Sequence, residues 1–359
     1  MTFLLYGAYG YTGELVAREA VDRGLDPVLA GRDGDPLREL GRELRCSVRE
    51  FPLQPPETVA ESVRDIDVVL NCAGPFAATA EPLVEACLET GTDYLDVTGE
   101  FSVFASLAAR DATATEADVT LLPGVGFDVV PTDCLAARLA ERLPEATVIT
   151  LGFDADGSVS QGTARTAVRG LGEGTVVREN GTLVRLPAGS RTRDIDFGRG
   201  TRSAVAVPWG DIVTAAHTTG VENVSVYAAV PPRVQRLLRA TRPLGPLLRS
   251  RPVRFLLDQL VSARVDGPTP ENRAGNRAYV WGEARSADGE TIAERLVTPD
   301  PYDLTVEASL AAVERTIGGD APAGFATPAG AFGSTFVDAV DGVTWGDQSE
   351  STSSATRSS

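Results

Sequence analysis

The decapeptide from Tyr6 to Leu15, YGAYGYTGEL, spaces three glycines three residues apart: Gly7, Gly10 and Gly13. It lies between the apolar run Phe3 to Tyr6 and a stretch, Glu14 to Arg23, whose Leu15, Val16 and Ala20 recur at helical spacing and which stops at Gly24. A strand that turns at once into a helix needs glycine where φ is positive or where backbones touch. The same turn leaves the N–H groups of the helix start free to receive a pyrophosphate. The triplet by itself supports either a tight turn or a dinucleotide cradle, so its context has to decide.

That context is a regular alternation. Strands are predicted at Pro27 to Ala30, Val48 to Leu53, Asp67 to Cys72, Asp93 to Val97 and Val119 to Leu122. Helices are predicted between them at Pro36 to Leu44, Thr58 to Arg64, Glu81 to Glu89 and Phe104 to Glu116. Strand and helix in turn predict an α/β fold, a Rossmann-type doubly wound parallel sheet, over residues 1–123. From GVGFDVVPTD, Gly124 to Asp133, the pattern changes. One helix, Cys134 to Arg142, precedes strands at Thr147 to Phe153, Ala204 to Val207, Val224 to Val230 and Tyr279 to Ser286. Asn180-Gly181 between two β-branched stretches predicts a hairpin. Residues 124–324 therefore read as a second α+β domain rich in antiparallel strands, which carries the substrate and the chemistry and closes with a helix at Leu304 to Ile317. Residues 325–345 are expected to return to the first domain, and 346–359 to form a disordered polar tail.

Composition narrows the chemistry. The chain has 50 acidic residues against 33 basic ones, a net charge of −17, and every basic residue is arginine. With 43% apolar residues the acid coats a folded body, which fits a cytoplasm of very high ionic strength and argues against a nucleic-acid partner. Without lysine there is no Schiff base, no Walker P-loop and no Tyr-x-x-x-Lys dyad. A single histidine, His217, excludes the usual multi-histidine metal sites, and no metal is expected. Four dispersed cysteines read as reduced thiols, and neither a signal peptide nor a membrane-spanning run is visible, so the expected location is cytoplasmic.

In order and spacing, GAYGYTGEL, AGRD, NCAGPF, ACLETGTDYLDVTGE, GVGFDVVPTD, GTA, PYDLTVEA and GFATPAGAFG resemble the saccharopine dehydrogenase-like oxidoreductases, and within them the branch called trans-acting enoyl reductases. The resemblance covers Thr2 to Trp345. It implies NADP(H), a substrate cleft formed with the second domain, and C=C (enoyl) reduction of an apolar or lipid-like substrate. Two alternatives stay open: a non-catalytic NADPH-binding sensor or scaffold, and a C=N reductase of saccharopine type.

On this basis Gly7, Ala8, Gly10, Tyr11, Thr12 and Gly13 are assigned to the cofactor. Arg32, in AGRD at the end of the second strand, suits the 2′-phosphate of NADP better than the ribose of NAD, although Asp33 follows it. Asn71, Ala73, Gly74, Pro75 and Phe76 are expected on the nicotinamide side, with an ordinary strand exit as the bland alternative. The proton donor is not chosen by the sequence. Tyr94, which shares a strand face with Asp96, the interdomain Asp128, and His217 are candidates. Asp133 reads as the N-cap of the helix that follows it, and Thr98 or Glu100 as a cap of the next helix. Between Arg233 and Arg264, eight arginines accompany a single acid, Asp258. That segment is expected either to touch an anionic membrane surface or to pair with acids, including those of a second copy in a homodimer.

Overall fold

The computed structural model describes residues 2–157, 174–240, 250, 253, 269, 273 and 275–346. The motif GTA, most of the Arg233–Arg264 segment and the tail beyond Gly346 lie outside the described residues.

The first sheet contains β1 (Phe3–Tyr6), β2 (Val28–Gly31), β3 (Val48–Glu50), β4 (Val68–Asn71), β5 (Asp93–Asp96), β6 (Thr120–Leu122) and β15 (Gly324–Phe325). All pair in parallel, in the order β15-β6-β5-β4-β1-β2-β3. Fully buried runs such as FLLY and VVLN are what a sheet covered on both faces requires. The covering helices are α1 (Tyr11–Asp22), α2 (Gly34–Leu44), α3 (Pro56–Val63), α4 (Phe76–Thr90), α5 (Phe101–Ala108) and α6 (Asp111–Glu116). The order reverses between β1 and β4. In such sheets the ligand crevice opens there, at the carboxyl ends of the strands.

The second sheet is mixed, in the order β10-β11-β12-β7-β13-β14-β16, with a side hairpin β8–β9 on β12. Its strands are β7 (Ala146–Ala155), β8 (Thr175–Glu179), β9 (Thr182–Leu186), β10 (Thr192–Asp196), β11 (Thr201–Ala206), β12 (Asn223–Ala229), β13 (Ala278–Ser286), β14 (Thr291–Thr298) and β16 (Thr344–Trp345). Every neighbouring pair is antiparallel except β7 with β12. The Asn180-Gly181 turn joins β8 to β9 with both residues at positive φ, 47° and 74°, as a type I′ hairpin requires. Helices α7 (Val130–Arg142), α8 (Asp211–Thr219) and α10 (Pro301–Ile317) pack into a core continuous with that of the first sheet, and α9 (Pro232–Ala240) and α11 (Pro328–Phe332) complete the described helices. No described helix is long and apolar enough to cross a membrane.

Several boundaries depart from the sequence reading, each for a physical reason. Helix α4 starts at Phe76 rather than Glu81, because a distant carboxylate, that of Glu100, receives its first N–H groups. Glu100 thus caps the preceding helix rather than the following one. Helix α7 begins at Val130, so Asp133 lies inside its first turn and is no N-cap. Its fully buried carboxylate instead accepts the Thr218 hydroxyl and the Ala329 N–H, tying α7 to α8 and to the start of α11. The 325–345 segment divides: Phe325 pairs with β6 in the first sheet, whereas Thr344 and Trp345 pair with β14 in the second. Helix α10 gains three residues at its start because Asp300 accepts the Tyr302 N–H, with Pro301 at the first helical position.

Candidate active site

The three glycines do three different jobs. Gly7 has φ +83°, and a Cβ there would lie 2.8 Å from the Cβ of Ala73, so this turn is also where the loops after β1 and β4 touch. A Cβ on Gly13 would collide with the Gly7 carbonyl, which fixes the close packing of α1 under the loop. Gly10 has an ordinary φ of −75°, and a Cβ there would meet only the Gly7 oxygen, at 3.2 Å. The backbone conformation does not demand glycine at position 10, and the one internal contact a Cβ would make, with the Gly7 oxygen, is tight rather than prohibitive. What its missing side chain leaves is open space over the start of α1, which has no side-chain cap. A pyrophosphate held by helix N–H groups needs that space. Ala8 is buried beneath the loop, and Tyr11 and Thr12 form the first helical positions.

At the far end of the crevice, the Tyr9 ring covers Gly31 and its hydroxyl donates to Asp33 at 3.1 Å. Arg32 is 75% exposed, and its Nε lies 3.4 Å from the same Asp33 carboxylate. A guanidinium free to turn and a carboxylate already engaged twice fit a 2′-phosphate, with Tyr9 as a residue the sequence reading passed over.

On the other side, Asn71 is fully buried and directs its side chain inward. It accepts the Ala73 N–H and donates to Thr79 and to the Tyr94 hydroxyl. Asn71 therefore shapes the loop Ala73–Phe76 and presents no free group to a ligand. Gly74 is exposed, and Pro75 and Phe76 are half-buried beside it. The Glu100 carboxylate accepts the N–H groups of Phe76 and Ala77 at 3.0 and 3.1 Å.

The three proton-donor candidates are placed very differently. Tyr94 is enclosed and its hydroxyl donates to Asp96 at 2.9 Å; burial drives the phenol well above its ordinary range. Asp96 in turn accepts the N–H groups of Thr98 and Gly124, and burial raises its pKa to about 6. This pair braces β5 against the loop that leaves β6, and does not reach the crevice surface. His217 is exposed at the end of α8, edge-on to Phe325 with centroids 4.9 Å apart. Phe325 is on β15, four strands from β1, about 19 Å at ordinary strand spacing. Position thus removes both Tyr94 and His217 from the crevice.

Asp128 remains. It is half-buried, its carboxylate lies against Gly99, and no described residue makes a hydrogen bond to that carboxylate. Burial alone pushes its pKa up to about 7. Its carbonyl accepts the indole N–H of Trp209, whose backbone forms an isolated antiparallel bridge with Glu100. The Trp209 ring packs at a tilt on Phe153 with centroids 4.7 Å apart, and Phe153 meets Phe127 edge-on at 6.4 Å. A carboxyl without a hydrogen bond among the described residues thus lies beside an aromatic wall of the second domain and against Gly99 and Glu100 of the first. Trp209 and Phe153 were missed in sequence because nothing local marks them: one follows a proline in a loop and the other is one aromatic in a strand.

Fold and site together define a Rossmann-type dinucleotide-binding domain whose crevice is closed by a mixed-sheet second domain. Residues 3–122 match the family model of the saccharopine dehydrogenase NADP binding domain. The trans-acting enoyl reductase of Mycobacterium leprae is 36% identical over 152 residues, 40% of this chain and 36% of that one. The human saccharopine dehydrogenase-like oxidoreductase is 25% identical over 202 residues, 49% of this chain and 47% of that one. The aligned part thus spans less than half the length of either relative. Over nearly the whole length, the fold is similar to apo saccharopine dehydrogenase (L-Glu forming) from Saccharomyces cerevisiae, with a TM-score of 0.64 and 11% identity, covering 94% of this chain and 96% of that one.

Proposed function

We propose that the protein is an NADP(H)-dependent oxidoreductase that reduces a C=C (enoyl) bond of an apolar, lipid-like substrate between its two domains. The observation that carries this reading is the glycine at position 10, whose φ of −75° does not call for glycine and whose Cβ would meet the Gly7 oxygen at 3.2 Å and nothing else within 4 Å. The loop residues Gly7 to Gly13 hold the pyrophosphate, Arg32 and Tyr9 the 2′-phosphate, and Ala73 to Phe76 the nicotinamide end. NADPH bound there supplies a hydride. Reduction of R–CH=CH–COX then needs one proton at the carbon next to the carbonyl, and Asp128 holds it. With a pKa near 7 the carboxyl keeps a large protonated fraction at neutral pH and still releases the proton readily. Trp209 and Phe153 exclude water and face the apolar part of the substrate. The enoyl reductase relatives and the aromatic wall favour C=C reduction over the C=N alternative.

The test is NADPH oxidation followed at its nicotinamide absorbance with a series of α,β-unsaturated acyl thioesters. Transfer of deuterium from 4-deuterated NADPH to the product is read by mass spectrometry. Deuterated saturated product is expected. Deuterated amine from an imine substrate alone would replace the enoyl reading by the C=N one. Tight NADPH binding without turnover of any acceptor would leave the sensor.

A further inference from the structure

The first turn of α1 faces a cation from the second domain. Arg273 stands just before β13, and its side chain is 12% exposed. One terminal nitrogen donates to the Tyr11 hydroxyl at 2.9 Å, and the guanidinium lies 6.0 Å from the centre of the Tyr11 ring. The Nε approaches Asp303 to 3.3 Å but is enclosed without a hydrogen bond among the described residues. Tyr302, from the first turn of α10, meets Tyr11 edge-on at 4.9 Å.

This arrangement is electrostatically incomplete. The start of a helix carries a partial positive charge, and a guanidinium brought towards it adds to that charge. The acid in the first turn of α1, Glu14, is turned away to Arg18 at 2.7 Å. Asp303 offers a single ion pair to Arg273 and is itself 42% exposed. Among the described residues the enclosed Nε has an ion pair with Asp303 but no hydrogen bond, and the start of α1 has no side-chain cap at Gly10; one anion would serve both. A phosphate matches the planar fork of arginine and the helix N–H groups at once.

We propose that Arg273 clamps the pyrophosphate of the bound dinucleotide from the second domain, so that the cofactor bridges the two domains. The inference rests on the dinucleotide reading above. Arg273 moves one or two of its donors to the pyrophosphate and gives up part of its contact with Asp303. Asp303 therefore competes with the ligand for the guanidinium.

The experiment is fluorescence titration of the full chain with NADPH and, by displacement, with adenosine 2′-monophosphate, which has the 2′-phosphate but no pyrophosphate. Arg273→Gln is expected to weaken NADPH about ten- to a hundredfold, the worth of a charge-assisted hydrogen bond, and to leave adenosine 2′-monophosphate unchanged. Asp303→Asn removes the competitor and is expected to tighten NADPH about two- to fivefold, a gain that damage to the fold cannot produce. Equal loss of both ligands in Arg273→Gln, unchanged NADPH affinity in it, or weaker NADPH binding in Asp303→Asn would each overturn the clamp while leaving the dinucleotide reading intact. A parent protein that binds no NADPH at all overturns both.

Discussion

The carboxylate of Asp128 rests on the bare backbone of Gly99, so closely that a Cβ on Gly99 would lie 2.5 Å from Oδ2. Gly99 lies in the loop that follows β5 of the first domain, and Asp128 belongs to the loop that enters the second. The proposed proton donor is thus positioned by a side chain that is missing. Gly99→Ala is expected to displace the Asp128 carboxyl and to lower kcat by about tenfold or more, since a misplacement near 1 Å can cost a hundredfold. NADPH affinity should stay at the parent value. Unchanged kcat in steady-state kinetics would show that Asp128 does not act at this place.

Asp128 itself ties activity to stability. Its pKa, about 7 in the fold, stands well above the ~3.9 of an unfolded aspartate. The native state therefore keeps its proton where the unfolded chain has lost it. The stability contribution is fully present below about pH 4, falls as pH rises, and is gone above about pH 7. Asp128→Asn removes the cost of a buried charge, with an expected gain of about 2–4 kcal/mol at pH 8 and little change at pH 4. The same variant should lose turnover, and parent activity should decline as pH passes about 7. Melting curves at the two pH values check the first part, and an Asn variant that is less stable at pH 8 refutes it.

The other end of the crevice is expected to set cofactor choice. Arg32 is exposed and only loosely held by Asp33, so its replacement should leave the fold intact. Arg32→Ala is expected to weaken NADPH about ten- to a hundredfold and NADH hardly at all, because a charge-assisted contact is lost with the 2′-phosphate only. Equal losses for the two cofactors in parallel titrations would remove Arg32 from this role.

A net charge of −17 with arginine as the only cation predicts dependence on salt. Many arginines already pair with acids at the surface, as Arg18 does with Glu14 and Glu43, and Arg38 with Asp35 and Glu50. The acids in excess can be relieved only by screening, whose length shrinks from about 10 Å at 0.1 M salt to about 3 Å at 1 M. The melting temperature should therefore rise steadily over that range of potassium chloride. A flat or falling curve would argue against the high-salt origin that the composition suggests.

What was legible in the sequence was what is local. The glycine spacing, the apolar runs of β1 and β4, and the Asn180-Gly181 turn carry their geometry in adjacent residues, and the sheet they imply is present. What failed involved partners far apart in the chain. Glu100 begins α4 from 24 residues downstream of Phe76. Asp133 looked like a cap because aspartate before a helical pattern usually is one, yet it binds Thr218 and Ala329. Trp209 reaches Asp128 and Arg273 reaches Tyr11 across 81 and 262 residues, contacts that only the tertiary fold creates. His217 drew notice as the lone histidine, and rarity carries no information about position.

The cofactor reading can be separated from mere architecture at Gly10. If glycine were there for a strained turn, its φ would be positive, but it is −75° with ψ 159°, a conformation open to any residue. A Cβ would meet the Gly7 carbonyl at 3.2 Å, a contact that needs that carbonyl to give by a few tenths of an ångström. Gly10→Val should consequently leave the melting temperature of the cofactor-free protein within a few degrees of the parent, since about 1 kcal/mol shifts a chain of this size by only a few degrees. The same valine would fill the space in which the backbone meets the pyrophosphate, and NADPH binding should fall below detection. Gly7→Val is the control with the opposite expectation. There φ is +83° and the new Cβ meets Ala73, so the apo fold itself should lose several kcal/mol. If Gly10→Val instead destabilises the apo protein as much as Gly7→Val, the glycine is structural. If it binds NADPH normally, the space above it holds something other than a dinucleotide.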